Sequence, residues 1–573
     1  MKIKSLLILV LSLVTLTAFG QDGGIKGRVV SRAGRIALGD VKITMTPGGT
    51  TTVSDAQGNF VFENIPAGEY SLQFETPEFE TSNIAVRVGS QMRDINAVIL
   101  VPDTQRQMID DAVFAEFDTE TTDDAQALPT SLSASKDLFN NIASYKFSEM
   151  RFNVRGYDSQ YQDVYMNGIQ LNDAMTGYTP WSLWSGLNDA TRNQEVTSGI
   201  VASDAGLGGI GGTTNIVTSP SQMRQGLRAS LVNGNSMYRF RAMVTYASGH
   251  QDNGWSYAFS VSTRQGGNSY VNGVYYNAFG YFAAVEKQFG QRHRLALTLL
   301  GAPTERGAQQ AATQEAYDLV GNNYYNPNWG WQDGKKRNAR VRNNHEPVVM
   351  LNYTFDISDR SKLDLATSLR FGMNGYSALT WQNGPDPRPD YYRYLPSYFA
   401  LDKNMLGAAW QQVYWQANYQ NIRHFDWDKM YQTNYIQNDP VDEAQYGPGR
   451  RSNYMVEERH TDQLDWNLVA NFSHIFRNNS KIYGGLSLRR NRTEYYLVVY
   501  DLLGGDYWAD IDKFAERDFG SNAIAYQNNL NYYYRHGHAH AAKVGDKYGY
   551  DYYAHVLRTK AWAAYNFNVG GLG

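Results

Sequence analysis

From Met223 onward the chain alternates apolar and polar residues, segment after segment, with a period of two. In YRFRAMVTYASG, Tyr238, Phe240, Ala242, Val244 and Tyr246 fall on one face, and Arg239, Arg241, Met243 and Thr245 on the other. WSYAFSVSTRQG sets Trp255, Tyr257, Phe259 and Val261 against Ser256, Ala258, Ser260 and Ser262. SKLDLATSLRFG opposes Leu363, Leu365, Leu369 and Phe371 to Lys362, Asp364, Ser368 and Arg370. LDWNLVANFSH does the same with Leu464, Trp466, Leu468 and Phe472 against Asp465, Asn467, Asn471 and Ser473. A two-residue period belongs to strands with one apolar and one polar face. It restricts the region to antiparallel sheet, either a soluble sandwich or a membrane barrel. Segments of about ten residues, enough to cross a bilayer at a tilt, and aromatics near segment ends favour the barrel.

Composition narrows the chemistry. The 573 residues carry a net charge of -4, so no global field points to nucleic acid. Aromatics make up 14%, with 42 Tyr, and Gly is abundant at 52. There is no cysteine. That excludes thiol catalysis, Cys-ligated zinc, iron–sulfur centres, disulfides and a lipid anchor on an N-terminal cysteine. The opening MKIKSLLILVLSLVTLTAFG has a basic start at Lys2 and Lys4, an apolar run from Leu6 to Leu16, and small residues at Ala18 and Gly20. It reads as a secretory signal peptide over 1–20, too short in its apolar run for a membrane span.

Residues 24–101 read as a small β-sandwich: alternating runs separated by turns at Asp55-Ala56-Gln57-Gly58 and Pro66-Ala67-Gly68. Through Gly27, Asp55, Gly58, Phe60, Pro66, Gly68 and Tyr70 the module resembles the carboxypeptidase-regulatory-like, prealbumin-type domain. Residues 102–130 are acidic and polar, a linker with an apolar island at Ala112, Val113, Phe114, Ala115, Glu116 and Phe117. That island is either plain linker or a strand that adds to a partner's sheet.

Within 131–222, GLGGIGGTTNIVTSP contains Gly206, Gly208 and Gly211 at the spacing of a dinucleotide-binding loop. That loop needs a helix after it, whereas Thr213 to Thr218 is a β-branched run favouring a strand. The nucleotide reading is set aside. The block instead resembles the plug domain of TonB-dependent outer-membrane receptors. The resemblance rests on Arg155-Gly156, the Asn167-Gly168 hairpin, Glu195-Val196 with Ser198-Gly199, and the run from Gly206 through Gly208, Gly209, Gly211, Gly212 and Asn215 to Thr218. It implies that these glycines form a tight hairpin in a domain filling a barrel lumen. The whole is then all-β dominated: an N-terminal β-sandwich, an α+β plug at 131–222 and an antiparallel transmembrane β-barrel from 223 to 573. About ten barrel strands are visible against the 22 of plugged transporters, so the sequence is expected to be the front part of a longer barrel.

The connections alternate between short turns (Ala247 to Gly254, Phe289 to Arg292) and long segments at 302–345 and 373–460. Short periplasmic turns and long extracellular loops are the expected asymmetry. Tyr324, Tyr325, Trp329, Trp331, Trp381 and Tyr391 are candidate ligand-contacting aromatics, on surfaces suiting a glycan, a peptide or a metal chelate. His536, His538 and His540 alternate along YYYRHGHAHAAK and share one face if extended, a candidate metal site beside the plainer reading of a His-rich loop. No cofactor is expected, and no catalytic constellation emerges. The resemblance implies import across the outer membrane, energised by a TonB-type inner-membrane complex contacting 112–117, with the sandwich in the periplasm and an extracellular lipoprotein as a further partner. The alternative is a barrel-anchored adhesin or structural outer-membrane protein.

Overall fold

The computed structural model describes residues 23–31, 37–76, 82–89, 91–100, 159–197, 200, 202–233, 238–267, 271–290, 292–436, 445–477, 480–520 and 522–567. The signal segment, the linker with its apolar island, and Arg155-Gly156 lie outside them.

Seven strands build the first module: β1 (Gly23–Ser31), β2 (Lys42–Thr46), β3 (Thr51–Val53), β4 (Asn59–Ile65), β5 (Gly68–Glu75), β6 (Ser82–Val88) and β7 (Met92–Leu100). They form two sheets, β4-β1-β7 and β3-β2-β5-β6. The inward residues of their alternation, among them Ile25, Ile43, Phe60, Leu72 and Phe74, make one core. The residues that marked this module in the sequence close its turns. Asp55 accepts the N–H of Gln57 at 2.9 Å and of Asn59 at 2.7 Å, and Tyr70 donates its hydroxyl to Pro66 O at 3.0 Å. A Cβ on Gly27 would meet the Phe60 ring at 2.8 Å, which is why this strand position is bare.

A second small sheet, ordered β10-β11-β8-β9, uses β8 (Asp163–Met166), β9 (Ile169–Gln170), β10 (Gln194–Thr197) and β11 (Thr213–Ile216). Among the described residues its helical parts are short 3₁₀ turns, such as Trp181–Trp184.

The large sheet follows. Its strands are β12 (Gly226–Asn233), β13 (Phe240–Ala247), β14 (Trp255–Gly267), β15 (Tyr275–Phe289) and β16 (His293–Gly301). After β17 (Thr304–Gly307), β18 (Trp329–Gln332), β19 (Lys335–Asn338) and β20 (Val341–His345) come β21 (Val348–Ser358) and β22 (Ser361–Trp381). Next are β23 (Phe425–Asp426), β24 (Tyr454–Ile475), β25 (Lys481–Asp501), β26 (Trp508–Ala509), β27 (Ala541–Ala542) and β28 (Lys547–Asn566). The path β12-β13-β14-β15-β16-β21-β22-β24-β25-β28 is an antiparallel meander, with β17 and β20 joined at one rim, while β19-β18-β23 and β26-β27 are separate small sheets.

Its polarity is the reverse of a soluble sandwich. Leu227 and Leu231 on β12 are 70% and 76% exposed, and Phe259, Val261, Leu297, Leu468 and Leu486 also face outward. Arg241, Thr245, Ser260, Arg264, Asp465 and Asn491 are buried on the opposite face. That arrangement suits a sheet with lipid outside and a polar interior, as in outer-membrane barrels. Among the described residues no helix is long and apolar enough to cross a membrane.

Three sequence expectations need correction. Tyr238 is buried, because the strand starts at Phe240 and the alternation does not extend before it. Several strands far exceed ten residues, β24 reaching 22, so they project beyond any bilayer. For the same reason the loop read as 373–460 shrinks to 382–453, since β22 runs to Trp381 and β24 starts at Tyr454. A further long connection, 502–546, completes the long-loop end, where the chain forms helices such as Met405–Ala417 and Leu530–His536.

Candidate functional site

The small sheet of β8 to β11 sits against the polar face of the large one, and the seam between them is the candidate site. Asn167 and Gly168, with φ of 49° and 81°, form the left-handed pair that a tight two-residue hairpin requires. The Asn167 side chain donates to Thr218 Oγ1 at 2.7 Å and accepts the Thr218 N–H at 2.9 Å. Asn215 Oδ1 accepts the Gly168 N–H at 3.1 Å. From the wall, Asn352 on β21 donates to Asn167 O at 3.0 Å. One hairpin therefore closes the plug and touches the wall.

The glycine run packs where side chains have no room. A Cβ on Gly206 would lie 2.4 Å from the Tyr165 hydroxyl, and one on Gly209 2.4 Å from Tyr161 O. Gly208 and Gly212 take φ of 87° and 100°. Ser203 and Gly206 close a tight turn, Gly211 N–H bonds Tyr161 O at 3.0 Å, and strand β11 follows. No helix follows to receive a pyrophosphate.

Polar contacts ring the plug. Asp189 pairs with Arg228 on β12 at 3.3 Å, Ser185 accepts from Arg264 on β14 at 2.5 Å, and Ser219 bonds Glu286 on β15. Asp173 lies 3.6 Å from Arg370 on β22 and accepts from Gln463 on β24 at 2.8 Å. Asn172 O accepts from Arg489 on β25 at 2.7 Å, and Gln170 from Arg558 on β28 at 2.9 Å. Burial works to raise the Asp173 carboxyl, but Arg370 and the hydrogen bonds from Thr176, Gln463 and Met175 outweigh it and hold it low. Apolar contact runs beside these bonds: Leu187, Trp184, Met166 and Ile169 share one core with Ala258, Phe282 and Leu300, and with Val348, Met350, Ala366 and Val469 further round the wall. Elsewhere the seam is polar, with a cleft lined by Asn215, Ser219, Glu286, Asn352 and Asn471. Asp173, Arg264, Arg370 and Arg489 were not singled out in the sequence. Their partners lie far along the chain, and only their place on a polar strand face or after a hairpin hinted at a role.

At the long-loop end the candidate aromatics divide. Tyr324 and Trp331 are exposed. Tyr325 and Trp329 are buried and serve packing, which corrects their reading as ligand contacts. Tyr325 donates to Arg423 O at 2.9 Å and meets Trp415 edge-on, while Trp329 lies 4.1 Å from the His424 ring. Trp381 and Tyr391 are half-buried, and Arg388 lies over both rings. Burial, then Arg423 and Lys336, push His424 down to about 4. His424 is therefore neutral at pH 7, and the unfolded loop takes up its proton first on acidification. The loop is expected to lose stability as pH falls from about 6.5 towards 4, by roughly 2–3 kcal/mol in all. Limited proteolysis of 322–436 across that range measures this, and His424→Gln should flatten the profile.

The histidine tract is not extended. Asn529 caps the helix Leu530–His536 and Gly537 ends it at φ 75°, so His536 sits in a last helical turn. The Tyr532 ring packs against His536 at 4.3 Å and His540 at 4.4 Å, and His540 Nδ1 is bonded to Asp510 at 2.8 Å. Among the described residues no group of three or more His, Cys, Asp or Glu is placed to hold a metal.

Fold and seam together define a sheet with an apolar outside and a polar inside, plugged by a small domain held through polar contacts and a shared apolar core. Residues 24–99 match the model of the carboxypeptidase regulatory-like domain. The chain is similar to the TonB-dependent transporter Oar of Myxococcus xanthus, 34% identical over 100 residues. That match spans 16% of this chain and only 9% of the transporter's length. Among solved structures, the ferric-catecholate import receptor Fiu of E. coli K12 aligns over 63% of this chain and 47% of its own, at 13% identity and a TM-score of 0.38. The ferripyoverdine receptor of the outer membrane of Pseudomonas aeruginosa aligns over 73% and 44%, at 10% identity and a TM-score of 0.40.

Proposed function

We propose that this chain provides the plug and adjoining wall of an outer-membrane receptor that imports a ligand with energy from a TonB-type inner-membrane complex. One observation carries the reading: a small domain fills the polar side of an apolar-backed sheet and is tied to it by a ring of hydrogen bonds and ion pairs around an apolar core. Those bonds can be exchanged for water as the plug moves, which a wholly dry seam would not permit at low cost. An anchor for an adhesin has no use for a removable filling. On this reading the long loops face outward, and exposed Tyr324 and Trp331 make first contact with a glycan, peptide or metal chelate. The short hairpins and the N-terminal sandwich face the periplasm. Ala112 to Phe117 is the segment on which the energising partner pulls. The exposed apolar side of the helix Met405–Ala417, with Leu406, Trp410 and Val413, gives an extracellular lipoprotein a surface to cover. The chain acts as a transporter and not as an enzyme.

The test begins with receptor purified from the outer membrane, from which retained ligand is identified by mass spectrometry. Deleting 102–118 should abolish accumulation of that ligand in cells while leaving its binding at the surface intact. Unchanged accumulation would overturn energised import.

A further inference from the structure

The wall grips the plug unevenly. On one side the arginines face carboxylates: Arg489 binds both oxygens of Asp465 at 2.8 Å and reaches the plug at Asn172 O, while Arg370, though its Nε makes no hydrogen bond, lies 3.6 Å from Asp173 and 4.0 Å from Asp465. On the other side stands Arg264 of β14, 0% exposed beneath plug residues Ser185 to Leu187. It donates to Ser185 Oγ from Nη1 and lies over the Tyr276 ring at 5.2 Å. Among the described residues its Nε and Nη2 meet no acceptor, and no carboxylate pairs with it. Ser262 Oγ beside it is also buried without a partner. Across the ladder its direct neighbour is Arg241, a second arginine, only 1% exposed. Gly186, at φ 84°, closes the lid: a Cβ there would lie 2.8 Å from Arg264 Nε and 2.9 Å from Ser262 Oγ.

We propose that the plug disengages first at β13 and β14, where seating it buries Arg264 without a counter-charge among the described residues, breaking the partly exposed Asp189–Arg228 pair of β12 as it goes, and pivots on the paired arginines of β22 and β25. A buried charge lacking a partner disfavours the state that buries it. Any outward shift of Ser185 to Leu187 lets water reach Nε and Nη2, so opening is assisted there. On the far side the same shift would strip Asp173 of Arg370 and Gln463, so opening is resisted. The use of this device rests on the import reading above; its geometry does not.

Hydrogen exchange on the purified full chain tests the direction of opening. Arg264→Met should slow exchange of the 181–190 amides by about tenfold, whereas Arg264→Lys, which keeps the charge, should leave it near wild type. Unchanged or faster exchange in Arg264→Met overturns the proposal. Should that variant fail to assemble, single cysteines at Leu187 and Ile169, both fully buried in the native chain, answer the same question by maleimide labelling. Cys at 187 should react at least about tenfold faster than Cys at 169, and equal or reversed rates overturn the proposal. These readouts need no transport. Expected exchange with no ligand uptake would sink the import reading alone, and flat exchange with robust uptake would sink this one alone.

Discussion

Replacing Asn167 and Asn352 together by cysteine and crosslinking the two is expected to give a receptor that binds its ligand at the cell surface but imports none until a reductant is added. Asn352 Nδ2 lies 3.0 Å from Asn167 O, and the two amide groups approach to 3.5 Å, so a short reducible bis-thiol crosslinker between the two cysteines fastens the plug hairpin to β21. None of the 573 residues is a cysteine, so none of them competes for the pairing. The single variants serve as controls, because Asn167 adopts φ of 49°, where a cysteine is less at ease by about 1 kcal/mol. Accumulation of labelled ligand before and after reduction is the measurement. Uptake that continues through an intact bridge would mean that opening on the β13–β14 side alone suffices for passage.

The second large effect concerns stability. Arg489 and Asp465 have side chains only 3% and 4% exposed, and Arg489 also holds Asn172 O of the plug. Arg489→Met leaves Asp465 buried with Arg370, 4.0 Å away, as its remaining ion-pair partner among the described residues. Breaking a buried pair by removing one partner costs about 3–5 kcal/mol. Thermal unfolding of the purified receptor should fall accordingly, and Asp465→Asn in the same background should recover part of the loss. Lys362→Met, which removes a half-exposed ion pair with Asp364, should cost less than about 1 kcal/mol. Equal losses at the two sites would show that burial adds nothing to the Arg489–Asp465 pair.

The elements that could be read from sequence are those whose signal is local. Asn167-Gly168 and the alternation of Trp255 to Ser262 give away a hairpin and a two-faced strand within a few residues. Alternation does not say which face is inside. Only the presence of the plug makes Arg264 and Asp465 the buried set and Val261 and Leu468 the exposed one. The aromatic loops were legible as composition but not as packing: nothing near Trp329 in sequence reveals His424, and nothing near Tyr325 reveals Trp415. At His536 a legible signal was overlooked. Asn529 and Gly537 are ordinary helix-capping residues, and they outweigh the alternating histidines between and after them. The plug–wall bonds leave no local trace at all.

The order of the strands has a consequence for how the molecule comes into being. Each of the ten long strands pairs with the next long strand in the chain, so the wall can grow hairpin by hairpin with short-range closures, as a low contact order allows. The plug precedes the wall in sequence, yet its bonds to the wall span 185 residues at Asn167–Asn352 and 388 at Gln170–Arg558. The first of those closures must wait for β21 and the second for β28. The plug therefore spends the early part of assembly as a domain with its polar face open, and Arg558 reaches Gln170 only once β28 has joined the sheet.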